Sequence, residues 1–246
     1  MIPLLLALIG CSSVNTLYGA RTLEPGQTST TLALSAGKNT DPLAGTTAGI
    51  APLPVYPQAD IGRRFGIAPD LDVGGRLSIG GLGFDVRYRF LHTEQVHLAA
   101  APGVYGSYAP LQYIPDALIP IDVTAGLAEA RFPLLMDLDI SKGWTLGAGT
   151  QVIGRQFWMR VRSGDSDGTG SRFELRTGGH VRTEFRFRRS SLSASFDVLA
   201  DPLRNAPLAW SGGIQMTFYT DPWRREERRD LRQWQRVPTA TPGKQP

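Results

Sequence analysis

The sequence predicts an all-β protein: an antiparallel up-and-down transmembrane β-barrel of about ten strands, followed by a short C-terminal helix. Three observations predict it. Between about Thr28 and Tyr219, apolar and polar residues alternate with period two, and no helical period is sustained. That is the pattern of strands with one apolar and one polar face. Long and short links between the strands alternate, as they do between the two rims of a membrane barrel, and the strand count is even. Finally, the polar face mixes glycines with charges of both signs, while aromatics of the apolar face gather near strand ends. Two aromatic girdles around an aliphatic band are the signature of a barrel that crosses a bilayer.

The 246-residue chain opens on the apolar run Ile2-Pro3-Leu4-Leu5-Leu6-Ala7-Leu8-Ile9-Gly10, which ends at its single cysteine, Cys11. This run has the apolar centre and small-residue exit of a signal peptide, although the Met1 amine is its only positive charge. It is too short for a transmembrane helix, which needs about 20 apolar residues. The stretch Leu8-Ile9-Gly10-Cys11 resembles the lipobox of bacterial lipoproteins. That resemblance implies that residues 1–10 are cut away, that Cys11 carries a lipid, and that 11–27 form a lipidated tether. Ser12 resembles the residue that lets lipoproteins travel on to the bacterial outer membrane. With one cysteine there is no intramolecular disulfide. CxxC and HExxH are absent, so no metal or cofactor is expected. The formal net charge of +4 is small and interspersed, which argues against nucleic acid.

The barrel occupies 28–220. Its first two segments, 28–36 and 57–66, carry Gly62 and Gly66 on the polar face. In 70–79, Leu71, Val73, Leu77 and Ile79 alternate with Asp72, Gly74, Arg76 and Ser78. In 82–91, Leu82, Phe84, Val86, Tyr88 and Phe90 alternate with Gly83, Asp85, Arg87 and Arg89. Segments 95–107, 121–139 and 144–158 follow. The 172–187 segment sets Phe173, Leu175, Val181, Phe185 and Phe187 against Glu174, Arg176, His180, Arg182, Glu184 and Arg186. The last two are 190–199 and 209–219. Tight turns fall at Pro69-Asp70, Thr93-Glu94, Ser141-Lys142-Gly143 and Arg189-Ser190; longer links fall at 37–56, 108–120, 159–171 and 200–208, with Gly80-Gly81 the short exception. Phe65, Phe90, Trp144, Phe187 and Phe218 lie toward the tight-turn rim, and Phe84, Trp158, Phe173 and Trp210 toward the other. Arg63 shares the outward parity of Ile61 and Phe65, at a depth from which it can snorkel to the near interface. The final pattern Ser211-x-Gly213-x-x-Met216-x-Phe218 resembles the last-strand signal that outer-membrane assembly machinery reads.

Small barrels are filled by their own side chains, and buried charges persist when paired and hydrogen-bonded. The inward parity therefore predicts a lumen charge network of Arg64, Arg76, Asp85, Arg87, Arg89, Asp137, Asp139, Glu174, Arg176, His180, Arg182, Glu184 and Arg186. Asp60, Asp72, Glu129, Arg131 and Asp197 share that parity. The expected role is structural and non-catalytic, with a narrow pore for ions or small solutes as the functional variant. Two other classes are open. A soluble lipocalin-like lipoprotein would turn the apolar face inward around an apolar ligand. A lipid-modifying barrel enzyme would need His180 near a Ser or Asp at the outer rim. His92, His97 and His180 are the only histidines, no GxSxG is present, and the Asp/Gly-rich loop 163–170 lacks the closing Glu of a calcium loop.

After the barrel, Asp221 can cap and Pro222 can open a helix over 221–236, in which Trp223, Leu231 and Trp234 fall near one side among six arginines. An even strand count leaves this basic helix in the periplasm. Residues 237–246 read as a disordered tail. The expected partners are membrane lipid, on the acyl anchor and the barrel exterior, and the assembly machinery.

Overall fold

A computed structural model describes residues 18–38, 56–78, 81–113, 121–163, 166–203 and 206–220. The expected signal peptide, Cys11, the helix expected over 221–236 and the expected tail over 237–246 lie outside the described residues.

Strands β1 (Thr28–Lys38), β2 (Tyr56–Ala68), β3 (Leu71–Ser78), β4 (Gly81–His92), β5 (Val96–Ala100) and β6 (Gly103–Tyr113) form the first half of the sheet. Strands β7 (Ile121–Ser141), β8 (Trp144–Ser163), β9 (Ser166–Arg186), β10 (Ser190–Asp201) and β11 (Ala206–Tyr219) complete it. Except for β5 and β6, each strand pairs antiparallel with its sequence neighbours, and β1 pairs with β11, so the sheet closes on itself. Both β5 and β6 pair with β4 on one side and β7 on the other. They are two halves of one staves' worth of chain, which makes this a ten-position barrel. The interruption is Pro102, which has no N–H to give to a ladder. Its carbonyl still accepts from Val86 N at 2.9 Å, and Ala101 N donates to Pro133 O at 3.0 Å, so the seam stays shut.

The tight turns gather at one rim. Between β2 and β3, Asp70 adopts a left-handed φ of 62°, a conformation that Asp tolerates because its short side chain bonds locally. The Asp70 carboxylate accepts from Arg89 Nε at 2.7 Å, and its carbonyl from Arg89 N at 2.8 Å. At the opposite rim β7, β8 and β9 run to 21, 20 and 21 residues. A tilted transmembrane strand needs about 9–11, so these three rise well beyond a bilayer. The exposed pair Arg160–Asp167 bridges the upper part of the β8–β9 hairpin.

Side-chain polarity is inside out. Leu34, Ile61, Val104, Val181 and Ile214 point outward and are 62%, 47%, 60%, 58% and 57% exposed. Asp72, Asp137, Asp197, Arg155 and Arg176 point inward and are at most 2% exposed. This excludes the lipocalin-like arrangement, which would reverse both sets. Girdle aromatics stack in place: Trp144 lies on Phe185 with centroids 6.2 Å apart and planes 7° apart, and Phe196 lies on Trp210 at 6.2 Å. In such a band, Val181→Arg costs about 2–4 kcal/mol near the bilayer midplane. Unfolding in lipid vesicles is expected to show this loss, whereas an arginine at the same place on a soluble exterior would change nothing measurable.

Candidate functional site

The lumen is the place where this chain concentrates its ionisable groups, and it is filled from two sources. The first is the segment 18–27, which runs inside the barrel. Glu24-Pro25-Gly26-Gln27 makes a turn at the tight-turn rim, with Gln27 N donating to Glu24 O at 2.9 Å and Gly26 at φ +78°. Pro at the second and Gly at the third position suit such a turn. The turn is stitched to β2 by Gly26 N to Gly66 O and Gly66 N to Gln27 O, both 2.9 Å. A side chain on Gly66 would run into the Glu24 carbonyl, so the close approach requires glycine there.

From that turn the segment climbs into the lumen. Leu23 N donates to Asp72 Oδ2 at 2.9 Å, and Ala20 N donates to Asp137 Oδ2 at 2.8 Å. Arg87 Nη1 donates to Gly19 O at 2.8 Å, and Arg21 pairs with Asp139. Ala20 packs with Ala99, Ala101 and Leu135 of the barrel wall. Tyr18 lies under Arg64 and Arg87, whose guanidinium carbons are 4.7 and 5.8 Å from its ring centre, a cation–π arrangement. Residues 18–27, placed in a tether by sequence, are thus a packed part of the barrel interior.

The second source is the ion-pair network. Asp72 accepts from Arg64 at 2.6 Å and from Arg87 at 2.5 Å, and Arg64 also reaches Asp85 at 2.5 Å. Across the lumen Arg182 binds Glu184 at 2.8 Å and Asp137 at 3.4 Å. Arg186 binds Asp139 at 2.9 Å. Nearer the long-strand end, Glu174 binds Arg176 at 2.9 Å and Arg172 at 3.1 Å, while Glu129 takes Arg131 and Arg155. Arg76 and Arg131 stand over Tyr105 at 5.7 and 6.0 Å.

The thirteen network residues read from sequence all carry inward parity, and the structure draws them into separate groups. Arg64, Asp85 and Arg87 meet on Asp72. Asp137, Arg182 and Glu184 form a second group, Asp139 and Arg186 a third, and Glu174 and Arg176 a fourth. Arg89 stays at the rim with Asp70, and Arg76 faces Tyr105. His180 is buried against Gly149, and its Nδ1 has no hydrogen bond among the described residues. Asp197 faces it in register from β10, and both lie deep in the lumen rather than at the outer rim.

Sequence reading missed three things. One is the inner segment, where only Pro25-Gly26 hinted at local shape. Another is Arg155, fully buried on Glu129; its inward neighbours Ile153 and Phe157 are apolar, so parity gave no polar stripe to join. The third is that the upper lumen is partly apolar: Tyr105, Leu127 and Phe157 pack together there, as do Ile153, Leu199 and Ala209. Among the described residues, a vestibule of about 270 Å³ lies beside the inner segment, lined by Arg21, Arg87, Arg182 and Arg186 among others. Tyr18, Arg76, Tyr105 and Arg131 border a further void of about 20 Å³.

A closed antiparallel barrel with an aliphatic exterior, aromatic girdles and an ionic interior defines the class: this is an outer-membrane β-barrel protein. No protein-family model matches the chain, and no curated protein does. Among solved structures it resembles the translocator domain of the autotransporter NalP from Neisseria meningitidis, with a TM-score of 0.52 and 8% identity over 81% of this chain and 90% of that one. It is also similar to the outer membrane protease OmpT from Escherichia coli (TM-score 0.43, 8% identity, 81% and 97% covered). A third is Ail, the attachment invasion locus protein of Yersinia pestis (TM-score 0.37, 10% identity, 80% and 100% covered). At these identities the likeness is one of fold.

Proposed function

We propose that this protein is a lipid-anchored, non-catalytic barrel of the bacterial outer membrane, with a lumen closed by its own N-terminal segment and by the packed side chains above it. The observation that carries the reading is the pair of hydrogen bonds from Leu23 N to Asp72 and from Ala20 N to Asp137. They fasten extended chain across the lumen at two carboxylates that are themselves buried and ion-paired. A structural role suits such an interior, because its charges are spent on one another and on the segment. Assembly machinery would insert the barrel through its last strand, and the acyl chain on Cys11 would give the N-terminus a second hold. The lipid-modifying alternative has little support, since a lipid substrate at the outer rim could not reach His180.

The test compares the full chain with a Cys11→Ala variant carrying a cleavable signal that does not depend on lipidation. Metabolic palmitate labelling is expected in the first and lost in the second. Both are expected to stay in the outer membrane through alkaline wash, to run faster unboiled than boiled, and to give no conductance steps in planar bilayers. Steady conductance from the intact chain would overturn the closed lumen and favour the narrow-pore reading; persistence of the label in the variant would overturn the anchor.

A further inference from the structure

Outside the lumen, one side chain breaks the polarity of the exterior. Arg63 of β2 points outward, is exposed, and forms no ion pair among the described residues. Its outward neighbours along β2 are Ile61 and Phe65, and its guanidinium carbon lies 5.2 Å from the Phe65 ring centre. Among the described residues it is the sole ionised side chain within the outward aliphatic band; the other outward charges sit at strand ends or on the raised β8–β9 hairpin. A lipid-facing arginine costs about 2–4 kcal/mol at the midplane and roughly 0–1 near an interface. Near the interface its guanidinium is within reach of lipid phosphate.

The surface around Arg63 is shaped rather than flat. Its cross-strand partners are Thr30 of β1, a hydroxyl, and Gly75 of β3, which has no side chain. Gly75 in turn stands opposite Phe84. Beside Gly75 the surface opens into a groove of about 1250 Å³, whose lining includes Phe65, Val73, Leu77, Phe84, Val104 and Phe132. The Arg63 cation lies at one edge of this apolar trough, with Thr30 beside it on β1. That is the arrangement a headgroup phosphate with attached acyl chains would fill, with charge-assisted hydrogen bonds from the guanidinium to phosphate oxygens.

We propose that the Arg63 groove is a binding site for one glycerophospholipid of the periplasmic leaflet, its phosphate on Arg63 and an acyl chain along the trough over Gly75. The leaflet follows from position. Arg63 pairs with Thr30, two residues from the start of β1, and β1 starts at the tight-turn rim, which in such barrels faces the periplasm. The site is independent of the acyl anchor and of the state of the lumen.

The test is native mass spectrometry of the full chain in mild detergent, titrated with dioleoyl-phosphatidylglycerol or with dioleoylglycerol, which lacks the phosphate. One phosphatidylglycerol is expected to bind, about tenfold more tightly than dioleoylglycerol, as one charge-assisted phosphate contact implies. Arg63→Leu is expected to erase that preference and Arg63→Lys to keep most of it. Gly75→Leu fills the trough while leaving Arg63 in place, and is expected to weaken binding of both lipids. A Cβ there would meet Phe84 at an ordinary 3.6 Å, and the variant must first show the unboiled gel shift of a folded barrel. Equal binding of phosphatidylglycerol by the parent, Arg63→Leu and Gly75→Leu would overturn the proposal. So would preferential retention of lipid A when both are offered, or a lipid-free dimer that Arg63→Leu dissociates.

Discussion

Asp72→Ala is expected to destabilise the barrel by about 3–5 kcal/mol, the loss seen when one partner of a buried ionic cluster is removed. Asp72 is fully buried and is the acceptor on which Arg64, Arg87 and the backbone of Leu23 converge. Its removal leaves the Arg64 and Arg87 guanidinium groups without their shared acceptor, and it releases one of the hydrogen bonds that hold the inner segment. Arg64 keeps Asp85, so Arg87 carries most of the deficit. Asp72→Asn retains volume and one acceptor and is expected to fall between the two. Urea unfolding in lipid vesicles, followed by tryptophan fluorescence, measures the effect. The control is Asp167→Ala, which breaks the exposed Arg160–Asp167 pair and is expected to leave stability unchanged, because exposed pairs contribute little. A loss from Asp72→Ala below about 1 kcal/mol would mean that its arginines are already hydrated.

The second large effect is on permeability, and it is non-additive. The lumen has two seals in series: the inner segment 18–27 toward the tight-turn rim, and the packed group of Tyr105, Leu127 and Phe157 above it. Deleting 18–27 is expected to leave the barrel non-conducting, and so is the triple change Tyr105→Ala, Leu127→Ala and Phe157→Ala. Combining them removes both seals, and discrete conductance steps in planar bilayers are expected. Each protein must first show the unboiled gel shift of a folded barrel. Conduction after deletion of 18–27 alone would show that the upper group does not seal; silence of the combined variant would show that the ion pairs around Glu129 and Glu174 close the lumen by themselves.

Much of this architecture is legible in local chemistry. Period-two alternation over 82–91 and 172–187 specifies strands because successive side chains point to opposite faces, and Pro69-Asp70 or Ser141-Lys142-Gly143 specify turns through backbone preference. Which face looks outward is set by the same pattern, once charged groups as numerous as those of 172–187 must either find partners or stay out of lipid. The sequence reads 95–107 as one strand; that Pro102 splits this barrel position into β5 and β6 needs the neighbouring strands to be seen.

The rest depends on where the closed sheet brings distant residues. No spacing along the chain relates Ala20 to Asp137 or Leu23 to Asp72; those bonds exist because a narrow lumen offers buried carboxylates that need donors, and the chain just before β1 supplies free N–H groups beside it. The same holds for Arg155, whose place among apolar inward neighbours hides it until Glu129 faces it from β7. The sequence by itself therefore determined an inside-out barrel of about ten strands, through alternation, turn chemistry and the cost of charge in lipid. Only the tertiary structure decided that the N-terminal segment fills the lumen and that Arg63 stands beside an apolar groove, because hydrogen bonds and packing across a closed barrel join residues that no local pattern relates.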